Sequence, residues 1–410
     1  MDKKSKLLPA LLIAACILLI LVISLIPADG WSVRSGRNVY FLDGHRVTGW
    51  QQIEGQQYYF DPDGYLCTGW QEIDGNRYYF DDSGIMVTGW LLDAHYFHPD
   101  GRLATGWLEL DGKRYYLGDD GRRKAGIVDV DGEQYLLNEQ GYVHCGWAEV
   151  FGSRYYGDEQ GHPLFGRQEI DGVQYHFDES GAVLTGWQKI DGFTYYFYSD
   201  GAAARGRLTI DGTVCNFASN GQFLHLVNPW NYVPEDYTVD LVGIGDTHQV
   251  ASIAYEDFLD MMTDCRNAGF EPMVCSSYRT QEYQEELFQK RIDRYVKEGL
   301  TVEKATELAG YSVAIPGTSE HQLGLALDIV DNDNWHLDET QAEMPTQQWL
   351  MENSWRYGWI LRYPVDKSAH TGIIYEPWHY RYVGRTVAAE IQSSGLCLEE
   401  YLEMLTDSVG

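Results

Sequence analysis

The stretch GTSEHQLGLALDIV (residues 317–330) poses the first question about this chain. Leu323, Leu325, Leu327 and Ile329 alternate with Gln322, Gly324, Ala326 and Asp328. That is the period of a β-strand. The leucine face belongs in a core. The other face carries small side chains up to Asp328, which leaves a cleft above the sheet with Asp328 projecting into it. A straight strand would hold the Cα atoms of His321 and Asp328 about 23 Å apart. Bonds of about 2 Å to one metal ion cannot span that distance. If both residues ligate one ion, the chain must bend between them, and Gly324 is the residue that permits it. Taken singly, His321 reads as a hydrogen-bonded loop histidine.

About fifty residues later, YEPWHYRYVG (residues 375–384) supplies Glu376 and His379. The flanking GIIY and YRYV are β-like, so this is not the helical H-E-x-x-H arrangement. Residues three apart on a regular strand face opposite ways. Pro377 cannot donate to a ladder, so a break is expected there that turns both side chains toward one cleft. Two histidines and an aspartate suit zinc with an open fourth position, the catalytic pattern. A carboxylate beside such an ion can take a proton from water, and Glu376 is the candidate.

Around these segments, residues 227–410 are enough for one domain with its own core. YEDFLDMMTDCRNAGF (255–270) reads as a helix ended by Gly269, and EPMVCSSY (271–278) as a strand. TQEYQEELFQKRIDRYVKEGL (280–300) is strongly helical, and MPTQQWLMENSWRYGWIL (344–361) is a helix running into a strand. Helices and strands mix without a regular βαβ rhythm, so α+β is the expected class.

Upstream the chain is periodic. Gly-Trp pairs stand at 49–50, 69–70, 89–90, 106–107, 146–147 and 186–187, twenty residues apart except for one step of 17. Gly126-Ile127, Gly166-Arg167 and Gly206-Arg207 fill the remaining places. In the unit TGWQEIDGNRYYFDDSGIMV (68–87), Asp-Gly between alternating apolar segments is a hairpin signal. An isolated hairpin is marginal, but stacked hairpins bury their Trp and Tyr faces against neighbours. Residues 31–226 are therefore expected to form a β-hairpin solenoid of about nine units.

The N-terminus differs again. After the basic residues 1–6, residues 7–26 carry no charge and are long enough to cross a bilayer core of about 30 Å. Lysines on the N-terminal side put that end in the cytoplasm and everything after Pro27 outside. A single-pass transmembrane anchor is the expectation; a cleaved signal peptide and a lipoprotein box ending at Cys16 stay open. Acids outnumber bases 61 to 30, a net charge of −31, which disfavours nucleic acid and anionic lipid surfaces as partners. The seven cysteines include no C-x-x-C pair, so a thiolate zinc site is not expected. Their odd number and irregular spacing argue against a disulfide framework; Cys265 and Cys275 could pair only if a helix packs on the following strand.

Two resemblances follow from these motifs. The 20-residue units resemble the cell-wall-binding repeats of Gram-positive surface proteins, the choline-binding and glucan-binding family. The resemblance implies contact with wall polysaccharide or teichoic acid; a purely structural stalk is the alternative. In choline-binding members a tryptophan precedes the Tyr-Tyr pair, whereas Gln57, Arg77, Arg114, Arg154 and Thr194 stand there in this chain. The C-terminal part resembles the VanY-type carboxypeptidases, zinc enzymes that trim D-alanine from peptidoglycan stem peptides. The residues carrying it are Ser319, His321, Gly324, Ala326 and Asp328 followed by E-P-W-H, with SSYRT (276–280), YGWILRYP (357–364) and YRYVG (380–384) in support. The resemblance implies His321, Asp328 and His379 as Zn2+ ligands and Glu376 as general base. It implies Arg279 as a catalytic and substrate-binding residue, with Ser319 and Gln284 as further substrate contacts. It leaves D,D-carboxypeptidase, L,D-carboxypeptidase acting on tetrapeptide stems, and a non-catalytic wall-binding surface protein as alternatives. The implied location is the cell membrane and wall, with the domains after the anchor extracellular.

Overall fold

The structure, a computed structural model, describes residues 27–407. The expected anchor at 7–26 lies outside the described residues. Among the described residues no helix is long and apolar enough to cross a membrane. The chain divides into two compact units, residues up to 164 together with 180–182, and residues 165–179 together with 183 onward.

The first unit is built of antiparallel hairpins. Gly69–Ile73 pairs with Asn76–Phe80, and Trp70 lies directly across from Tyr79. The turn residues Asp74 and Gly75 both have positive φ, +51° and +76°. This is the two-residue hairpin turn whose twist matches the strands, and it explains the Asp-Gly signal. The hairpins starting at Gly49, Gly106, Gly126 and Gly146 repeat the pattern, and the shorter Gly89 hairpin closes with the three residues 92–94. Each buries its face against the next: the Trp50 ring lies 4.9 Å from Tyr78 of the following hairpin, and Phe60, Phe80, Phe97 and Leu117 are fully buried.

The second unit holds the hairpins starting at Gly166, Gly186 and Gly206, followed by an α+β domain. In that domain β1 (Leu241–Ile244) and β2 (His248–Ala251) form a small hairpin ahead of α1 (Ser252–Asn267). Next come β3 (Pro272–Ser276), α2 (Gln281–Lys297) and α3 (Val302–Ala309). Then follow β4 (Ala326–Asp331), α4 (Pro345–Asn353), β5 (Trp359–Leu361), β6 (His379–Tyr382), α5 (Arg385–Ser394) and α6 (Leu398–Asp407). Four strands make one antiparallel sheet in the order β3-β4-β6-β5. Leu327, Ile329, Tyr380 and Tyr382 pack against Phe258, Met261 and Met262 of α1 and Leu350 of α4. The helix α2 starts where Thr280 caps it, its hydroxyl accepting from Tyr283 N at 3.2 Å.

One expectation needs correction, the β-like reading of residues 372–375, and two other readings gain detail. The strand begins at Ala326, just past the bend expected near Gly324: Glu320–Leu323 is a 3₁₀ turn and Gly324 is left-handed at φ +70°. A Cβ at Gly324 would come within 3.0 Å of Leu241 Cδ2 and 3.3 Å of Ala251 N, so both the backbone angle and the space call for glycine. Residues 372–375 form no strand, because Gly372 ends a short helical turn and Pro377 opens another turn before β6. Cys265 and Cys275 are free thiols: Cys265 sits in the α1 core, and Cys275 Sγ lies 3.4 Å from the Asp328 carbonyl oxygen, which accepts from it.

Candidate active site

The sheet register sets the centre. Asp328 on β4 lies directly opposite His379 on β6, and Ser276 on β3 lies on its other side. Directly paired residues bring their side chains together on one face. His321 arrives from the 3₁₀ turn, because the bend at Gly324 folds the chain back over the start of β4. The bend that the sequence demanded is therefore present. One nitrogen each from His321 and His379 and one oxygen from Asp328 lie within 4.8 Å of one another, and all three residues are buried. The two imidazole rings stand edge to face, 4.9 Å between centroids.

The surroundings orient each ligand. His321 Nδ1 donates to the Ser277 carbonyl at 2.8 Å, which leaves Nε2 as the free lone pair, 3.3 Å from Asp328 Oδ2. Outer partners of this kind fix the tautomer of metal-binding histidines. His379 presents Nδ1 to Asp328 Oδ1 at 3.1 Å, while its Nε2 faces Glu320 Oε2 at 3.7 Å. Asp328 Oδ1, His379 Nε2 and Glu320 Oε2 are buried without a hydrogen-bond partner. Buried polar atoms in native proteins are rarely left so, and an ion among the first three side chains would account for Asp328 Oδ1. Glu320 itself is anchored: Oε1 accepts from Arg362 Nε at 2.8 Å and Arg381 Nη1 at 2.7 Å.

Charge follows from this geometry. Burial, with Arg279 beside it, pushes His321 down to about 4, so its imidazole is neutral at pH 7. Burial would raise the Asp328 carboxyl, but His321, His379 and Arg279 together hold it well below the usual range. Burial also acts to lower His379, yet Asp328 and Glu320 outweigh it and raise the ring to about 9. Burial pushes Glu376 up to about 8. Without an ion, the cluster thus collects a proton on His379; a divalent cation satisfies the same demand for positive charge. Donor set, spacing, orphaned oxygen and charge all fit a metal ion.

A cleft of about 650 Å³ opens over this centre. Glu376 lines it, with Oε2 3.7 Å from His379 Nδ1, as the turn at Pro377 brings residues three apart to one side. Arg279 lines it too, and its Nη2 donates to Asp328 Oδ2 at 2.7 Å while Nε donates to Ser276 Oγ at 2.9 Å. Ser319 faces the cleft. Gln284 does not: it is fully buried, its Oε1 accepting from Arg279 and its Nε2 donating to Ala314 O at 2.7 Å. Its place is behind Arg279. Sequence reasoning passed over Glu320, Arg362 and Arg381. Their signal was an acid adjoining His321 and one arginine in each of two segments already singled out, YGWILRYP and YRYVG.

An antiparallel sheet domain whose paired strands carry a buried His-Asp-His set, with a carboxylate beside it in a cleft, has the donor set and setting of a metal centre. The chain belongs to the VanY D-alanyl-D-alanine carboxypeptidase family, which matches residues 247–385. A bifunctional D-Ala-D-Ala dipeptidase and carboxypeptidase, VanXYC, of Enterococcus gallinarum is 37% identical over 154 residues, 35% of this chain and 74% of that protein. A D-alanyl-D-alanine carboxypeptidase of Enterococcus faecalis is 44% identical over 180 residues, 44% of this chain. The chain spans 65% of that relative's length. A zinc complex of a vancomycin-resistance D,D-pentapeptidase, VanY of the VanB-type cassette, is 44% identical with a TM-score of 0.40, covering 43% of this chain and 97% of that one. In the hairpin region, residues 67–95 and 184–227 match a choline-binding repeat, and residues 48–66 and 105–122 a putative cell wall binding repeat.

Proposed function

We propose that this protein is a zinc-dependent D,D-carboxypeptidase that removes the terminal D-Ala from peptidoglycan stem peptides. The observation that carries this reading is the buried His321–Asp328–His379 set with Glu376 beside it in the cleft. His321, Asp328 and His379 would hold the ion. Bound there, Zn2+ supplies Lewis acidity toward water and the scissile carbonyl. Glu376 accepts the proton of the attacking water and passes it to the leaving amine, as general base and then general acid. Burial raises the Glu376 carboxyl to about 8 in the metal-free site, and a divalent cation bound beside it would lower that toward the ionised form a base needs. Arg279 holds Asp328 and presents a guanidinium to the cleft, where Arg291 also lies. Two cations lining the cleft suit a substrate that ends in a free carboxylate. Ser319 contacts the substrate, and Gln284 acts through Arg279.

The repeats at 31–226 hold the enzyme at the wall through polysaccharide or teichoic acid, and residues 7–26 anchor it in the membrane with residues 227–410 outside. The match of the hairpins to wall-binding repeats supports the first statement; the uncharged 20-residue run supports the second.

The test is to incubate the protein with penta- and tetrapeptide muropeptides, with and without a chelator. The reading expects D-Ala from the pentapeptide only, lost on chelation and restored by Zn2+. Release from the tetrapeptide only would replace it with L,D-carboxypeptidase activity. Absence of chelator-sensitive release from either substrate would overturn the enzyme reading.

A further inference from the structure

The aromatic faces of the hairpins are not equivalent. In the Trp70 hairpin, Trp70 lies across from Tyr79 and Glu72 across from Arg77, so Trp70 and Arg77 are diagonal neighbours on one face. The Arg77 guanidinium sits over the indole, 4.6 Å from its centroid. Two further hairpins repeat this more tightly. Arg114 lies 3.7 Å from the Trp107 centroid, and Arg154 3.8 Å from that of Trp147. Arg114 is also 5.3 Å from the ring of Tyr135, which belongs to the next hairpin. Trp107 and Tyr135 are themselves 4.9 Å apart, so Arg114 occupies the place where two hairpins offer aromatic faces to one cation. Arg77 makes a second tie, its Nη1 donating to Asp120 O at 3.3 Å.

Two hairpins have the same register with a neutral residue at this position. Gln57 lies across from Gln52 beside Trp50, and Thr194 across from Lys189 beside Trp187. Both tryptophans are partly exposed, 37% and 44%, as is Trp70 at 39% beneath the looser Arg77, whereas Trp107 and Trp147 under the closer arginines are less exposed. Among the described residues no Lys or Arg stands over either ring. The backbone is unchanged between the two kinds of hairpin, so the residue at this position decides only what faces the indole. An aromatic face holds one cation by attraction to the ring quadrupole, and a resident guanidinium excludes a second both sterically and by like charge.

We propose that Arg114 and Arg154 are specificity-determining residues that close the Trp107 and Trp147 faces to external cations such as quaternary ammonium groups. This goes beyond the wall-binding reading, because it assigns those two hairpins to spacing rather than to ligand capture. It is independent of the peptidase reading, since its test involves no cleavage.

The test uses the full chain with R114Q or R154T, residues that the Trp50 and Trp187 hairpins already accommodate. Each protein is titrated with tetramethylammonium chloride at constant ionic strength, with binding read by tryptophan fluorescence and by ligand-observed NMR. The expected result is one added saturable equivalent for each variant over the wild type, with R114K unchanged from the wild type. W107A in the R114Q background should remove the gain. Stoichiometry equal to that of the wild type in both R114Q and R154T, with far-UV circular dichroism unchanged, would overturn the proposal. A gain that persists in the W107A background would overturn it as well.

Discussion

Replacing Glu320 by glutamine tests how the centre is held. Glu320 is fully buried and balances two arginines through one oxygen, Arg362 at 2.8 Å and Arg381 at 2.7 Å. Its other oxygen faces His379 Nε2. Arg362 keeps a second carboxylate, because Glu399 accepts from its Nη1 and Nη2 at 2.8 and 2.6 Å. Arg381 keeps only carbonyl partners, of Tyr382 and His225. E320Q therefore leaves a buried positive charge without its counter-ion, which costs about 3–5 kcal/mol. For a unit of this size that is roughly 10 °C in Tm. The amide must also turn its oxygen toward the arginines, which points its NH2 at His379. If Nδ1 binds the ion, Nε2 carries hydrogen and two donors then meet. Loss of such an outer partner lowers metal affinity about 10- to 100-fold. E399Q provides the control, since it unbalances Arg362 without facing His379. Zn2+ affinity is measured by chelator competition, and stability by thermal unfolding of metal-free protein. The expected outcome is destabilisation in both variants, with weakened Zn2+ binding in E320Q alone. Equal Zn2+ affinities in E320Q and E399Q would refute the orienting role.

Glu376→Gln should bind Zn2+ as the wild type does yet lose about 100- to 10,000-fold in D-Ala release, measured on pentapeptide substrate with metal content assayed in parallel. Retained turnover would remove Glu376 from proton transfer. Gly324→Ala should cost about 1–2 kcal/mol from the left-handed backbone alone, and should weaken Zn2+ binding because His321 depends on that bend; an unchanged Tm and affinity would count against it. Burial, and after it the charge of neighbouring Arg381, pushes the His225 ring from the usual 6.5 down to about 4. Its folded pKa is depressed, so the unfolded chain binds the extra proton, and stability present above pH 6.5 falls as pH drops toward 4. The loss is at most about 3 kcal/mol. His225→Phe keeps the ring contacts with Phe223 and Tyr237, so unfolding of wild type and variant at pH 7 and 4.5 should show a smaller loss in the variant.

Much of the repeat region was legible because its information is local. Asp74-Gly75 encodes a turn by backbone angle alone, and the turn fixes the register that sets Trp70 against Tyr79. The catalytic half was legible for a different reason. Ligands for one ion must converge closely, so His321, Asp328 and Glu376–His379 imply a bend and a break from sequence alone, and the bend falls at Gly324. What escaped were partnerships whose members are far apart in sequence. Glu320 meets Arg362 and Arg381 across 42 and 61 residues, and no spacing rule connects them. The alternation alone runs past the strand start, because Leu323 satisfies the period-two pattern while lying fully buried in a 3₁₀ turn; only the metal geometry marked the bend. Period reports which residues are buried, not where the backbone changes.

The arginines over the indoles show the same distinction at a smaller scale. From sequence, Arg77, Arg114 and Arg154 were absences, places where a tryptophan was missing from an aromatic cage. In the folded hairpin a residue two positions from the cross-strand Tyr shares the face of the Trp, so a missing aromatic residue becomes a supplied cation. A cage lacking one wall would still bind a ligand, only more weakly. A face already holding a guanidinium binds none until that group leaves. The two accounts give opposite signs for R114Q, since a damaged cage gains nothing from glutamine whereas a closed one opens. The sign of that change, rather than its size, decides between them.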